Sequence, residues 1–389
     1  MHKLRSSSVA TLANVFTRLS SRSKSTGERP SAPLGSRILN NHDDIFKHNI
    51  WDHIQWTEED KENARRKAEE NSSIQIPLRE QGKFDTEARQ YWDKFYEMHQ
   101  NKFFKDRKWL FLEFPELLPS GRTKTTSRFV GDQQAAQLTG SNTDAETGHQ
   151  QHNNPTHHHR NTDTCNHQES CRGAALEKDE AAIQTTTFPG QHASFRILEV
   201  GCGVGNSVFP ILNTIKDMDA FVYCCDFSPC AIQLVKDHPD YDESVCHAFV
   251  HDICEELASF PFPPQSLDVI LAVFVFSSIH PDRLQGIVNR LSRHLKPGGI
   301  FLFRDYGRHD FSQLRFKKGR CLSENFYTRG DGTCVYFFTK EEVHDLFSSA
   351  GLEEVQNLED KRLQVNRGKK VSMLRVYMQS KYRKLYPPS

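Results

Sequence analysis

No stretch of this sequence is apolar for long enough to cross a membrane, and its 389 residues carry no net formal charge at pH 7. The 50 Lys and Arg are balanced by 50 Asp and Glu, which argues against a protein that binds polyanions over its whole surface. Hydrophobic residues make up only 37% of the chain, a low share for a compact protein of this length. We therefore expect part of the chain to be disordered.

Closely spaced cysteine pairs are missing as well. The chain has ten cysteines, and no two of them form a C-x-x-C pair. Several lie in or beside segments that we predict to be buried, namely Cys202, Cys224, Cys225, Cys230 and Cys254. This placement is typical of cysteines that serve as small buried apolar residues in a reducing compartment.

Acidic residues are absent from both ends of the chain. Residues 1–27 contain five Lys or Arg, seven Ser and no acid, and Leu12, Phe16 and Leu19 fall on one helical face. This composition predicts a mitochondrial transit peptide and a location in the matrix, with an ordinary basic tail and a cytoplasmic location as the alternative. Residues 361–389 contain nine Lys or Arg and no acid. Such a segment can bind phosphates, although a solvated basic surface would have the same composition.

Residues 120–191 are dominated by Ser, Thr, Gln, Asn, His and Gly, which predicts a disordered insertion. Its potential metal ligands are His157, His158, His159, Cys165, His167 and Cys171. Their spacing matches no zinc pattern, and the polar surroundings could not build an outer shell around a metal. We therefore predict no metal site.

The remaining segments alternate between strand and helix patterns after residue 192. The predicted strands are 196–200, 220–226, 247–252, 267–276, 299–306, 335–338 and 371–382, and the predicted helices between them are 207–216, 229–238, 281–295 and 340–350. This alternation predicts an α/β fold with a doubly wound parallel sheet over residues 192–384, with ligands beyond the carboxyl ends of the strands. Residues 35–119 form a separate N-terminal region, with helices predicted at 57–70 and 86–100.

A glycine-rich turn follows the first of these strands. Residues 198–206 read LEVGCGVGN, in which Gly201, Gly203 and Gly205 follow an apolar strand and precede an apolar helix. Glycines let the backbone turn tightly and approach a ligand closely. The G-x-G-x-G spacing differs from the G-x-G-x-x-G of dinucleotide-binding proteins, which are the main rival interpretation. It resembles the first motif of class I S-adenosylmethionine (SAM) methyltransferases, which have a Rossmann-like doubly wound sheet.

Three acidic residues stand at successive strand ends, where a SAM site needs them. Glu199 closes the first strand, Asp226 the second and Asp252 the third. Asp226 is placed to accept the ribose hydroxyls, and Asp252 to accept the adenine amino group. Any one of them could instead cap a helix, but three in succession are hard to explain by capping. The LKPGG turn at 295–299 also looks like the one before the fifth strand of methyltransferases.

The segment after the fourth strand bears on the atom that is methylated. Enzymes that act on exocyclic amino groups of bases commonly carry an Asn/Asp-Pro-Pro-Tyr motif here, whereas residues 276–281 read FSSIHP. A ring nitrogen such as cytosine N3 can attack the methyl group directly and becomes cationic, so a nearby carboxylate would stabilise the product. Asp305 is our candidate for this catalytic carboxylate. Its alternative role is an ion pair with Arg304 or Arg308.

Several further motifs resemble those of the tRNA N3-methylcytidine methyltransferases, and within that family the mitochondrial member. They are WDH at 51–53, YWDKFY at 91–96, NKFFKDR at 101–107, EFPE at 113–116, LEVGCGVGN at 198–206, FRDYGR at 303–308 and GDG at 330–332. The resemblance covers about residues 35–118 and 192–382. It implies SAM as cofactor, and a helical N-terminal region that covers the cofactor and binds RNA.

The resemblance also implies roles for individual residues. The implied cofactor-binding residues, with the glycine turn and the acids above, are Trp92, Tyr96, Glu199, Gly201, Gly203, Asp226, Asp252, Ile253 and Val273. The implied RNA-binding residues are Phe103, Phe104, Lys105, Arg107 and Lys108. A packed amphipathic helix with solvated lysines is the alternative for the latter.

The resemblance implies methylation of cytidine 32 in the anticodon stem-loop of mitochondrial threonine and serine tRNAs. Some relatives also need a seryl-tRNA synthetase as partner. Two alternatives stay open at this point. One is a cytosolic member of the family that acts on threonine or arginine tRNAs, and the other is a non-catalytic RNA-binding protein that retains the SAM fold.

Overall fold

The computed structural model describes residues 35–119 and 187–387. The predicted transit peptide at 1–27 and nearly all of the predicted insertion, including its histidines and cysteines, lie outside the described residues. The N-terminal region and the residues from 188 onward belong to one compact unit. In the described part, no helix is long and apolar enough to cross a membrane.

The described elements are numbered here in chain order. The helices are α1 (Glu58–Ser72), α2 (Leu78–Thr86), α3 (Ala88–His99), α4 (Leu110–Glu113), α5 (Val208–Ile215), α6 (Pro229–Lys236), α7 (Pro281–His294), α8 (Phe311–Leu314) and α9 (Lys340–Ser348). The strands are β1 (Ile50–Trp51), β2 (Phe195–Val200), β3 (Ala220–Asp226), β4 (Cys246–Val250), β5 (Leu267–Val273), β6 (Leu295–Tyr306), β7 (Cys321–Ser323), β8 (Phe326–Thr328), β9 (Cys334–Tyr336), β10 (Leu352–Asn366) and β11 (Val371–Lys384).

Five parallel strands form one side of the larger sheet, from the edge strand β4 inward, in the order β4-β3-β2-β5-β6. The chain runs outward from β2 to β4 and then crosses back to β5, on the other side of β2. The strand order therefore reverses beside β2, and a crevice opens at the carboxyl ends of β2 and β5. This crevice is where the sequence placed the glycine turn.

Side chains of the parallel strands alternate between two buried layers. Ile197 and Val269 pack with helices α5 and α6 on one face, whereas Leu198 and Ile270 pack with α7 and α9 on the other. Successive side chains of a strand point to opposite faces of the sheet, so strands that are apolar on both faces need helices packed on each face. The predicted α/β layering is confirmed, and each of the four predicted helices after residue 192 is present.

The sheet is mixed rather than wholly parallel, which corrects the predicted topology. The last strand, β11, lies antiparallel between β6 and β10, and β1 adds to the outer edge of β10. We did not predict β10, because most of its residues are polar and its first half alternates little between apolar and polar positions. A small antiparallel sheet, β7-β8-β9, was predicted only at its last strand.

The N-terminal region packs on this sheet, and it contains more helices than the two predicted. Helix α1 begins at a capping box between Thr57 and Asp60, as its N-cap prediction required. Helix α3 matches the prediction at 86–100, and α2 was not predicted. Leu110, Phe114 and Leu117 are fully buried in the same layer as α5 and α6. The N-terminal region is thus part of the hydrophobic core.

Candidate active site

The glycine turn after β2 has the backbone conformation that its sequence predicts. Gly201 and Gly203 have φ angles of 60° and 53°, in the left-handed region that favours glycine. A Cβ on Gly201 would lie 2.2 Å from Val275 Cγ2, and one on Gly203 would lie 3.0 Å from Tyr96 Oη. Any side chain at Gly201 would therefore displace the wall of the crevice, since the nearest atoms belong to a β-branched residue.

Asp226, at the end of β3, faces this turn. Its two carboxylate oxygens accept hydrogen bonds from the backbone N–H groups of Gly203, at 2.9 Å, and Ser228, at 3.0 Å. Burial raises the pKa of Asp226 to about 6, and the two backbone donors act in the opposite direction. The carboxylate is therefore held rigidly beside the turn, and it retains lone pairs that can accept further donors.

A cavity of about 720 Å³ opens beside Asp226. This volume lies in the range of small-molecule sites, roughly 300–1,000 Å³. Its walls come from the glycine turn, the ends of β3 and β4, the segment after β5, the start of α7, helices α2 and α3, and the small sheet. The predicted residues among its lining are Trp92, Tyr96, Gly201, Asp226, Asp252 and Ile253.

Helix α3 forms one wall of the cavity with an aromatic cluster. The rings of Trp92 and Tyr96 are 5.7 Å apart, and Phe95 packs against both. Burial, and after it the charge of Asp226, raises the pKa of Tyr96 well above its usual value, so its hydroxyl stays protonated. Asp93 of the same helix accepts a hydrogen bond from the hydroxyl of Ser228, next to Asp226. The helix is thereby fixed over the glycine turn.

Two walls of the cavity were missed by the sequence analysis. Gln81 of α2 donates hydrogen bonds to the carbonyls of Ile76, at 2.8 Å, and Leu322, at 2.7 Å, which joins α2 to the small sheet. A Cβ on Gly332 would lie 2.5 Å from the ring of Tyr91, so the turn before β9 packs closely on α3. The GDG motif at 330–332 was the available signal, but the strands beside it are three residues long and too short for periodicity to identify.

Beyond β4 and β5, only some of the predicted contacts line the cavity. Asp252 and Ile253 lie in its wall, and Asp252 accepts a hydrogen bond from the Cys254 N–H at 2.9 Å. Val273 does not line it, which corrects its expected cofactor contact. Its side chain is 1% exposed and packs in the layer of α5 and α6. Val275, two residues further along, lines the cavity instead.

Glu199 and Arg107 form a buried pair beneath the cavity, outside its lining. Glu199 is fully buried, and its Oε1 lies 3.5 Å from Nη1 of Arg107, which also donates a hydrogen bond to Ser207 Oγ at 2.7 Å. Burial raises the pKa of Glu199 to about 7, although Arg107 acts to lower it. The backbone N–H of Arg107 bonds to the carbonyl of Asn206 at 2.8 Å.

This pair corrects two sequence-based expectations. Glu199 is not in the cavity wall, because its fully buried side chain is directed at Arg107. Arg107 does not present its guanidinium to RNA phosphates, because its side chain is directed at a buried carboxylate. Its contacts instead join the 101–107 motif to the glycine turn.

The other predicted RNA-binding residues lie at the surface. Phe103 is 54% exposed and Phe104 39% exposed, and Lys105 and Lys108 are exposed as well. The ring of Phe103 packs 4.9 Å from that of Phe95 in α3. Exposed rings beside exposed lysines can stack on bases and contact phosphates.

Asp305 has a different place from the one expected of a catalytic carboxylate. It is fully buried, it does not line the cavity, and its oxygens accept hydrogen bonds from the backbone N–H groups of Ser277 and Tyr306, both at 2.9 Å. Burial raises its pKa to about 6. The predicted alternative is absent too, because Arg304 pairs with Asp360 and Arg308 with Glu342. Asp305 positions the turn after β5 in this structure.

Metal ligands are not brought together in residues 35–119 and 187–387, where no cluster of three His, Cys, Asp or Glu side chains could hold an ion. None of the cysteines described there forms a disulfide.

Comparison with known proteins gives the family of the chain. Residues 198–301 match a family model described as a methyltransferase domain. The tRNA N(3)-cytidine methyltransferase METTL2 of Danio rerio is 51% identical over 356 residues, which cover 92% of this chain and 90% of that protein. The mitochondrial tRNA N(3)-cytidine methyltransferase METTL8 of Mus musculus is 46% identical over 265 residues, which cover 66% of this chain and 91% of that protein.

Among solved structures, a SAM-dependent methyltransferase of Methanosarcina mazei matches 49% of this chain and 93% of its own, with 18% identity and a TM-score of 0.37. The class I SAM-dependent methyltransferase fold expected from the sequence is confirmed by the strand order, the methyltransferase domain and the relatives above. The chain belongs to the family of tRNA N(3)-cytidine methyltransferases, because its sequence is 51% identical to that of a member over 90% of the member's length.

Proposed function

We propose that this protein transfers the methyl group of SAM to N3 of cytidine 32 in the anticodon loop of tRNA. The observation that carries the proposal is that one short segment joins the exposed aromatic and basic surface to the glycine turn of the cofactor cavity. Arg107 holds the exposed Phe103–Phe104 and Lys105 surface directly on the glycine turn. An RNA base bound at that surface would lie beside the cofactor cavity.

The residues of the cavity fit SAM by their chemistry. The lone pairs that Asp226 keeps can accept the two ribose hydroxyls, and Asp252 can accept the adenine amino group. Trp92 and Tyr96 offer ring faces above the turn, and Ile253 an apolar contact for adenine. When bound, SAM supplies a methyl group on a positively charged sulfur.

The protein's own part in the transfer is positioning and charge stabilisation. Cytosine N3 carries a lone pair and no proton, so no side chain has to remove one. Holding N3 in line with the methyl group converts the reaction into a unimolecular step, which lowers the barrier by several kcal/mol. The methylated base is cationic, and Asp282 of the cavity wall, which has no assigned contact with SAM, favours that charge.

Residues 35–119 act in this proposal as a cofactor cover and as a tRNA-binding region. Helix α3 lies over the glycine turn, and the exposed Phe103, Phe104, Lys105 and Lys108 take the anticodon loop. Loop nucleotides are unstacked more cheaply than paired ones, so a base can be turned into the cavity. In β11, Arg375 and Lys381 pair with Asp310 and Glu116, so the exposed Arg383 is the residue of this strand that can contact a phosphate.

The substrates in this proposal are mitochondrial threonine and serine tRNAs, with residues 1–27 as the transit peptide. A cytosolic enzyme for threonine and arginine tRNAs is the second candidate. It is favoured by the higher identity and wider coverage of METTL2, whose name carries no compartment, over the mitochondrial METTL8. Import of the full chain into isolated mitochondria, compared with a chain that begins at residue 28, separates the two.

Nucleoside mass spectrometry of tRNA incubated with protein and SAM tests the activity. We expect 3-methylcytidine to form in an anticodon loop that has cytidine at position 32, and not when that position is changed to uridine. Asp226→Ala should abolish SAM binding in a calorimetric titration and leave the fold intact. If tRNA stays unmethylated, both with and without added seryl-tRNA synthetase, the proposal is wrong.

A further inference from the structure

The turn after β5 carries polar side chains on the wall of the cavity. Ser278 and His280 both line the cavity, on the segment whose preceding residue, Ser277, is held by Asp305. Val275 of the same segment is the residue that a side chain at Gly201 would strike. This segment therefore lies against the glycine turn.

His280 has one ring nitrogen in use and one free. It is the N-cap of α7, and its Nδ1 accepts the backbone N–H of Asp282 at a distance of 3.4 Å. A nitrogen that accepts carries no proton, so the neutral ring has its proton on Nε2. Nε2 has no hydrogen-bond partner among the described residues, and the side chain is 38% exposed. In the tautomer that makes this capping contact, Nε2–H is the ring's donor, and His280 belongs to the cavity wall.

Ser278 has the opposite character. Its hydroxyl donates to the carbonyl of Val275 at 2.6 Å, so the proton of the hydroxyl is committed and the oxygen can only accept. The edge of cytosine on which N3 lies has an acceptor, O2, on one side of N3 and a donor, the N4 amino group, on the other. A donor and an acceptor on one turn match that edge, whereas uracil presents an acceptor in place of the amino group.

We propose that His280 and Ser278 orient the target base, with His280 Nε2–H donating to cytosine O2 and Ser278 Oγ accepting from the N4 amino group. Both are positioning residues that hold N3 toward the methyl group, and Ser278 also disfavours uridine. The inference rests on the proposed function, since it names how that reaction selects its base. The ring of Phe326, 5.4 Å from that of His280, holds the imidazole in place from the small sheet.

The capping role of His280 allows a matched set of variants. Asn, Asp and Ser are all good N-caps, so each should keep α7 intact. None of the three places an N–H group where Nε2 lies, because Asp has no donor and the side chains of Asn and Ser are too short. We expect roughly 10- to 100-fold losses of kcat/KM for tRNA in all three, the cost of one unmade hydrogen bond.

The readouts separate positioning from folding and from the reaction itself. SAM affinity by calorimetry and the thermal midpoint should be unchanged in all three His280 variants. Activity equal to that of the wild type in the Asn, Asp and Ser variants would show that His280 only caps the helix and would overturn the proposal. Ser278→Ala should lower kcat/KM by a similar factor with SAM affinity kept, and an unaffected Ser278→Ala would overturn its part. An inactive wild-type protein would instead refute the proposed function.

Discussion

At the scale of single residues, burial sets the chemistry of the site more than charge pairing does. Asp226, Asp305 and Glu199 all have raised pKa values, with burial as the largest cause in each case. The sequence identified all three residues, because acids at strand ends after a glycine turn are a local pattern. It could not tell which of them faces the cavity, since that depends on the direction of each side chain and on partners about ninety residues away, such as Arg107 for Glu199.

The raised pKa of Asp226 predicts a pH dependence of cofactor binding. Below its pKa of about 6 the carboxyl is protonated in the free protein, and one oxygen loses part of its capacity to accept the ribose hydroxyls. We expect SAM affinity to fall as pH decreases from 7 to 5, by up to tenfold for each pH unit below the pKa. Calorimetry at a series of pH values measures this.

Asp226→Asn is the matched variant for that titration. It should bind SAM weakly, with little dependence on pH between 5 and 7, because the amide does not titrate. Glu199→Gln controls for a second carboxyl whose pKa lies near neutrality, and it should retain the pH dependence. A wild-type affinity that is constant over this range would contradict the role of Asp226.

The Arg107–Glu199 pair predicts a coupling between two residues that the sequence assigned to different tasks. Arg107→Gln removes the cation that lowers the pKa of the buried Glu199, so the carboxyl must keep a proton to stay buried. We expect a loss of about 3 kcal/mol in the free energy of unfolding above pH 7, and a smaller loss below it. Adding Glu199→Gln should restore much of that loss, because the buried acid is then gone. Urea denaturation of the wild type, both single variants and the double variant gives the interaction energy; additive losses would mean that the two side chains act independently.

At the scale of elements, the sequence predicted those that its periodicity marks and missed those that rely on distant partners. The five parallel strands and four helices after residue 192 have continuous apolar patterns or caps of their own. Strand β10 is largely polar and is defined by its pairing with β11, and α2 by its contacts with the small sheet. Short and polar elements gain their stability from tertiary contacts, which no local pattern records.

Helix α4 and the residues after it provide a test of how the N-terminal region is attached. The Phe114 side chain is fully buried against the main sheet, whereas Leu112, two residues away, is 57% exposed. We expect Phe114→Ala to cost about 3–5 kcal/mol of unfolding free energy. Leu112→Ala should cost less than about 0.5 kcal/mol. Denaturant unfolding measures both, and a small effect of Phe114→Ala would mean that this segment detaches without disturbing the core.

At the scale of the whole molecule, the predicted boundary between residues 35–119 and 192–384 does not separate two independent bodies. The N-terminal segment supplies buried core residues, ion pairs to the last strand such as Lys381–Glu116, and a wall of the cavity. The sequence suggested two regions because a long low-complexity stretch lies between them. Composition along the chain cannot reveal that two stretches on either side of an insertion share one core.

This shared core predicts the outcome of truncation. A chain that begins at residue 188 should lack the cover over the glycine turn and expose the sheet surface that Leu110, Phe114 and Leu117 occupy. We expect it to be poorly soluble and to show no SAM binding by calorimetry. Adding residues 35–119 as a separate polypeptide should restore both properties in part. A soluble, SAM-binding fragment of 188–387 would show that the N-terminal region is dispensable for the fold.

The place of β11 between β6 and β10 has a consequence for how the protein is made. β11 follows both of its neighbours in the chain, yet it lies between them, so β10, with β1 on its outer edge, cannot join β6 until β11 has been made. A stop at position 370 would therefore leave the nascent sheet divided. Loss of this one strand should be as harmful as the loss of a catalytic element.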